Sequence, residues 1–182
     1  MIKKNFITAV SLAIFILALG VPMNIHAGQD KGDSSVTLSG GFFHSQGSDM
    51  STFNLEAGYG YFLTQGWELG VQQSLGLTRN SGEKNEWIAS TIPFINYNFQ
   101  GLSTNDSFVP FLGAFIGASY NSNDITGTVG PQVGFKSFVN DRTFIMVKYR
   151  YEWFFDDITI NDFKDQRSDG NHAVTIGLGF TF

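Results

Sequence analysis

The sequence predicts an all-β protein: an eight-stranded antiparallel up-and-down transmembrane β-barrel, preceded by a cleavable signal peptide. Three observations carry this prediction. Apolar residues alternate with small or polar residues in eight separate segments, which is the period of strands with two unlike faces. Glycines and charges collect on the less apolar face. Most segments reach the length, about ten residues, of a strand that crosses a bilayer at a tilt.

Length and composition favour a single domain and exclude several classes of protein. The chain has 182 residues, no cysteine and a formal net charge of −5. Without cysteine there is no disulfide scaffold, no thiolate metal site and no lipid-bearing lipoprotein cysteine. An acidic, aromatic-rich chain has no electrostatic basis for binding nucleic acid. Because no phosphate loop, zinc spacing or nucleotide fingerprint occurs, no cofactor is expected.

The amino-terminal segment has the order of a secretory signal. Lys3 and Lys4 precede an apolar run at 6–19, and a small-residue pattern ends at Ala27. The run is too short to cross a bilayer comfortably as a mature helix, so cleavage after Ala27 is favoured over an uncleaved anchor. The predicted division is a signal peptide at 1–27, a short polar lead-in at 28–35 and a barrel at 36–182.

The last segment shows the alternation most simply. Apolar residues from Val174 to Phe182 occupy every second position, and small or polar residues lie between them. Such a strand cannot stand alone, and the same pattern recurs upstream; Pro93 interrupts one segment without changing its phase. The predicted strands are 36–44, 53–64, 67–79, 86–99, 108–120, 128–139, 143–155 and 172–182.

The two faces of these strands indicate which side meets lipid. Lys148 and Arg150 alternate with Tyr149 and Tyr151, and a membrane barrel turns its apolar face outward and its polar face inward. Glycine on the inner face lets a narrow wall curve and close. The predicted inward glycines are Gly58, Gly60, Gly70, Gly76, Gly113, Gly117, Gly130, Gly134, Gly177 and Gly179. Two aromatic girdles are predicted, one from Trp67, Tyr97 and Phe99, the other from Trp87, Tyr120, Trp153 and Phe155.

The connections give the orientation. An even number of strands puts both termini on one side, together with the tight turns at 64–67 and 140–142. Short turns face the periplasm in such barrels, and Gly66 is expected at positive φ in the first of them. Because backbone groups in lipid must be paired, strand eight should close against strand one. The predicted external loops are 45–52, 80–85, 121–127 and 156–170.

Residues 36–182 therefore resemble the small outer-membrane β-barrels of Gram-negative bacteria, the OmpA/OmpX-type barrels. The last strand, with Phe180 and Phe182, is similar to the terminal signal recognised by the barrel-assembly machinery, and 108–119 resembles a common strand of the family. The resemblance implies a cell outer-membrane location with periplasmic termini, in contact with lipid and lipopolysaccharide. The family contains adhesins, stability proteins and a few lipid-modifying enzymes, so it implies a location more than an activity.

The inward charges are the candidate functional residues. They are Glu56, Lys148, Arg150 and Glu152 in the middle to outer lumen, and Glu68 and Lys136 near the periplasmic end. Buried charges need partners, and an eight-stranded lumen is narrow enough to be filled by side chains. A salt-bridged plug is therefore favoured over a selective or gated pore.

Part of the lumen is predicted to be apolar. Ile88, Ile92 and Phe94 face inward, next to Phe111 and Phe115. An apolar pocket without convergent polar groups is weak evidence for a ligand. Packing is therefore favoured over a slot for an acyl chain.

The outer rim offers a possible hydrolase site. His44 and His172 should meet there, with Ser45 and Asp169 near in sequence, as a serine, histidine and acid. The sequence lacks the His-x-Ser-Asn stretch of the lipid A deacylases, so two rim histidines in headgroup water are favoured. The aspartates of the last loop lack calcium-loop spacing and are expected to be solvated, with room for divalent cations beside lipopolysaccharide phosphates.

The sequence thus predicts a monomeric barrel with a structural or surface-interaction role and no catalytic, cofactor or metal residues. A narrow channel and a lipid-modifying enzyme remain as alternatives. A secreted soluble ligand-binding barrel is disfavoured.

Overall fold

A computed structural model describes residues 29–45, 51–79, 86–101, 108–120, 125–155 and 171–182. These residues form eight antiparallel strands that close into one barrel. The strands are β1 (Ser34–Ser45), β2 (Ser51–Phe62), β3 (Trp67–Arg79), β4 (Glu86–Asn98), β5 (Phe108–Tyr120), β6 (Ile125–Phe138), β7 (Thr143–Phe155) and β8 (Asn171–Thr181). None of the described residues forms a helix able to span a membrane.

Closure of the barrel follows the predicted order. Each strand pairs with its neighbour in sequence, and β8 pairs with β1 in a register that puts Val36 opposite Phe180 and His44 opposite His172. Ser34 and Phe182 exchange two backbone hydrogen bonds of 2.8 and 2.9 Å. We call the end of the barrel with these two residues the terminal end, and the opposite end the loop end. The closed eight-stranded fold is confirmed.

The strand ends differ from the prediction by up to three residues. β1 begins at Ser34 instead of Val36, and β6 begins at Ile125 instead of Thr128. Backbone pairing continues there beyond the last regular apolar position, since pairing does not require an apolar side chain. The two connections predicted to be external at 45–52 and 121–127 are consequently shorter than predicted. The predicted signal peptide and the loops at 80–85 and 156–170 lie outside the described residues.

The turn between β2 and β3 favours glycine for a different reason from the one predicted. The described glycines with positive φ are Gly32 and Gly101, so the prediction for Gly66 was wrong. A Cβ atom at Gly66 would lie 2.8 Å from the ring of Tyr97. The close approach of this ring, rather than the backbone angle, favours glycine here.

The barrel is inverted relative to a soluble protein. Phe53 is 66% exposed and Leu178 is 60% exposed on the outer wall, whereas Arg150 is fully buried in the lumen. Glycines make room for the lumen side chains, as where Gly134 lies against the Phe111 ring and Gly179 against the Phe144 ring. The predicted outward and inward faces are therefore confirmed.

Candidate functional site

The lumen holds two networks of charged side chains. The first, which we call the central network, consists of Glu56, Gln72, Lys148, Arg150 and Glu152. Glu56 accepts hydrogen bonds from Lys148 and, at 2.7 Å, from Arg150 Nη1. The same Nη1 atom donates to Gln72 Oε1 at 2.9 Å, and Arg150 Nε lies 3.2 Å from Glu152 Oε1. Four ionisable side chains on two strands are thus paired across the lumen.

The second, or terminal, network lies nearer the chain termini. Lys136 Nζ forms a 2.8 Å ion pair with Glu68 Oε2. Ser35 donates to the other Glu68 oxygen at 2.9 Å, and the side-chain amides of Asn96 and Asn98 donate to Oε2 at 3.4 and 3.3 Å. Glu68 is therefore held by residues of three other strands, which ties the wall together at this level.

Aromatic rings fill the space around Lys136. Its ammonium group lies 5.1 Å from the Phe62 ring centroid, 5.9 Å from that of Phe111 and 5.4 Å from that of Phe144. Cation–π attraction of this kind is strongest where water is excluded. The lysine thus lies in an aromatic cage, with its charge also matched by Glu68.

The residues that were predicted to form an apolar part of the lumen do face inward. They divide into two clusters. Ile92, Phe94 and Phe115 pack together, and Phe111 packs instead with Phe144 and Met146. Each of these side chains is at most 7% exposed. The clusters support the predicted packing of these residues, and Ile88 and Ile92 also line the cavity described below.

The lead-in is hydrogen-bonded to the strand ends and turns at the terminal end of the barrel. Gly32 N–H donates to Phe62 O at 2.9 Å, and Phe62 N–H donates to Asp33 O at 2.9 Å. Gln100 Nε2 donates to the backbone oxygens of Gln29 and Gln65 at 2.9 and 2.5 Å. Gln29 is only 6% exposed. Sequence reasoning missed this contact because the segment has no periodicity.

The loop half of the lumen contains a cavity of about 220 Å³. Arg150 and Glu152 of the central network reach it, and its wall includes Asn54, Ser90 and Thr128. Sequence reasoning did not single out these three neutral residues. Alternation was the available signal, because it puts all three side chains on the inner face. The level of the lumen that each side chain reaches depends instead on strand register.

His44 and His172 are paired across β1 and β8, as predicted, and the hydrolase triad stays a prediction. His172 lies on the outer wall, where its Nδ1 is 2.6 Å from the Tyr149 hydroxyl and its ring is 5.0 Å from that of Tyr151. Asp169 lies outside the described residues. His172 therefore belongs to the aromatic surface of the wall.

Aromatic contacts on the outer wall occur where the girdles were predicted. Trp67 and Tyr97 have ring centroids 5.1 Å apart at the terminal end, and Tyr151 and Trp153 are 4.9 Å apart toward the loop end. The described wall also carries a neutral polar cluster. Gln73 Nε2 donates to the Tyr120 hydroxyl at 2.8 Å, and Thr91 donates to Gln73 Oε1 at 2.7 Å.

Several solved outer-membrane and designed transmembrane barrels have the same fold. Neisserial surface protein A has a TM-score of 0.62 and 14% identity, over 82% of this chain and 96% of that chain. The amino-terminal β-barrel domain of Pseudomonas aeruginosa OprF gives 0.55 and 16%, over 85% and 100%. A de novo designed transmembrane β-barrel gives 0.52 and 18%, over 85% and 99%. No family model matches the chain, and no curated protein matches its sequence.

Proposed function

We propose that this chain is a monomeric outer-membrane β-barrel with a structural or surface-interaction role, whose lumen is closed by its own side chains. One observation carries the proposal. The strands expose large apolar residues on their outer wall and bury paired charges within, an arrangement that is unfavourable in water and favourable in lipid. Its fold is that of the outer-membrane barrels above, one of which is named as a surface protein.

Closure of the lumen is supported by the balance and position of its charges. The central and terminal networks contain three acidic and three basic side chains, and each forms at least one ion pair. The rings of Phe62, Phe111 and Phe144 occupy the level of Lys136. A solute crossing the barrel would have to separate these pairs in a site of low dielectric, which is costly.

The orientation follows from the connections. Short turns face the periplasm in barrels of this kind, so the terminal end is proposed to lie there and the loop end to lie outside. Partners are proposed accordingly. Outer-membrane lipid and lipopolysaccharide would contact the wall, and the barrel-assembly machinery would bind β8 with Phe180 and Phe182.

Two measurements test this proposal. A detergent-extracted protein that migrates differently before and after boiling would support a membrane barrel, and recovery in the soluble periplasmic fraction would contradict it. In planar bilayers, purified protein should show no discrete openings. A Lys136→Ala/Arg150→Ala variant should conduct, because both long plug side chains are removed.

The matched control alters the outer wall instead of the lumen. A Gln73→Ala/Thr91→Ala variant removes a hydrogen-bonded pair of the outer wall, and neither residue belongs to a charge network or lines the cavity. This control variant should show no discrete openings in planar bilayers. Discrete openings of the unaltered protein would favour the narrow channel instead.

A further inference from the structure

The floor of the loop-end cavity carries charges that cancel. Arg150 and Glu152 line the cavity and are paired with each other, and Arg150 also pairs with Glu56, which pairs with Lys148 outside the cavity lining. Each of the four is at most 5% exposed. Because the floor has no excess charge, it gives no electrostatic preference to an anionic or a cationic ligand.

The wall of the cavity supplies neutral hydrogen-bonding groups. Ser90 Oγ and Ser119 Oγ lie 2.8 Å apart. Asn54 and Thr128 are each 1% exposed, and Asn54 Nδ2, Asn54 Oδ1 and Thr128 Oγ1 have no hydrogen-bond partner. Unpaired polar groups at such depth are costly until a ligand or water satisfies them. Both residues line the cavity, so an occupant that draws these side chains toward it would meet both donors and acceptors.

Three of the lining side chains are apolar, namely Ile88, Ile92 and Phe154. A site that combines a few convergent polar groups with apolar and aromatic surface is typical of small-ligand pockets. A sugar ring has matching chemistry, since its hydroxyl edge both donates and accepts hydrogen bonds and its C–H face packs on apolar or aromatic groups.

We propose that the loop-end cavity binds one neutral monosaccharide unit, free or at the end of a glycan. The volume of about 220 Å³ is below the roughly 300–1,000 Å³ of pockets for larger ligands, so one ring is the expected occupant. The inference rests on the proposed function, because a lumen closed beneath the cavity makes it a dead-end site reached from outside. Asn54 and Thr128 are the residues expected to determine affinity.

The test is saturation-transfer NMR of the full mature chain, folded in dodecylphosphocholine micelles because sugar-headed detergents would compete. The probes are methyl α-glucopyranoside and methyl α-galactopyranoside. We expect saturable transfer for at least one of them, and weaker transfer for glucuronate, glucosamine and zwitterionic alanine. Asn54→Leu and Thr128→Val should each weaken binding roughly tenfold, since each removes a hydrogen-bonding group from the site.

Thr175→Val is the matched control. Thr175 is also buried and its hydroxyl also has no hydrogen-bond partner, but it does not line the cavity. This variant should bind as the unaltered chain does. If Thr128→Val fails to show the heat-modified band of a folded barrel, Ser119→Ala provides a milder change at the same site.

Three results would overturn the inference. The first is that neither glycoside receives saturation from the protein, which would leave water as the occupant. The second is binding that Asn54→Leu and Thr128→Val do not weaken. The third is preference for a charged or zwitterionic probe. If the unaltered protein shows no openings in planar bilayers and neither glycoside gives saturation transfer, the sugar site alone is overturned. Discrete openings would count against the proposed closure as well.

Discussion

Glu56 neutralises two cations, whereas Glu152 contacts only Arg150 among the ion pairs described. The difference gives a prediction for the same substitution at two positions. Glu56→Gln should lower the free energy of unfolding by about 3–5 kcal/mol, because it leaves buried cations without their acid. Glu152→Gln should cost about 1–2 kcal/mol, because Arg150 keeps Glu56. Urea titration of barrels folded in lipid vesicles measures both, and equal losses would contradict the central position of Glu56.

Lys136 and Glu68 should be energetically coupled. Lys136→Met fits the surrounding rings of Phe62, Phe111 and Phe144 but leaves Glu68 buried without its cation. Adding Glu68→Gln removes that unpaired charge, so the double variant should be more stable than the sum of the single changes implies, by about 1–3 kcal/mol. A double-mutant cycle in vesicles measures this coupling. Additive losses would show that the pair contributes nothing specific.

At the residue scale, sequence reasoning could predict which charges lie inside but not which charges meet. Period two alone assigns Lys148 and Glu56 to the inner face. They are 92 positions apart in sequence, and their contact depends on the register of every strand between them. Strand register and tilt are properties of the closed barrel, so a single strand pattern does not determine such pairs.

At the scale of strands, the inner glycines are expected to be intolerant of even one methyl group. A Cβ atom at Gly130 would meet the backbone of Tyr151 and lie 3.1 Å from the Phe115 ring, whereas one at Gly40 finds its nearest neighbour at 3.9 Å. Gly130→Ala should therefore cost about 1–3 kcal/mol. Gly40→Ala should be neutral or stabilising by about 0.5 kcal/mol, because alanine loses less backbone freedom. Urea midpoints in vesicles compare them, and a tolerated Gly130→Ala would contradict the crowding of the lumen.

The carboxy-terminal strand should matter more for assembly than for final stability. Phe180 and Phe182 stack on the outer wall with ring centroids 6.3 Å apart, and the backbone of Phe182 pairs with Ser34. Phe182→Ala keeps that backbone pairing but removes the terminal aromatic. We expect a lower yield of heat-modifiable barrel in cells and nearly unchanged stability after refolding in vesicles.

Phe135→Ala is the control for this change. Phe135 is another outer-wall aromatic at the terminal end, with its ring centroid 5.1 Å from that of Phe108. The yield in cells should fall less than for Phe182→Ala. Equal losses would indicate a general requirement for aromatic surface instead of a terminal signal.

Strand identity was predictable because alternation persists even where pairing is interrupted. The register of β4 with β5 passes from Thr91 opposite Ala118 to Phe94 opposite Phe115 without a change of phase, although Pro93 lies between. Strand ends were less predictable, as the early start of β6 shows. Backbone hydrogen bonds set the ends, and they leave no periodic trace in side chains.

At the scale of the whole molecule, the inversion of the barrel was predictable, whereas the contacts of the lead-in at its terminal end were not. Inversion is a property of many alternating positions, so local irregularities do not hide it. The contacts of the lead-in depend instead on single hydrogen bonds, such as that from Gln100 to Gln29. Only closure of the barrel brings those residues together.

The orientation of the molecule leads to the last prediction. The chain has no cysteine, so one cysteine introduced at a chosen place can be labelled alone. Ser81→Cys lies in a predicted external loop, and Asp141→Cys lies in the short exposed turn between β6 and β7. A membrane-impermeable maleimide added to intact cells should label Ser81→Cys at once.

Asp141→Cys should react only after the outer membrane is permeabilised, because short turns face the periplasm. The unaltered chain is the negative control, and heat modifiability shows that both variants have folded. Labelling of Asp141→Cys but not Ser81→Cys on intact cells would reverse the orientation. The loop-end cavity would then face the periplasm, and any sugar it binds would have to be presented from that side.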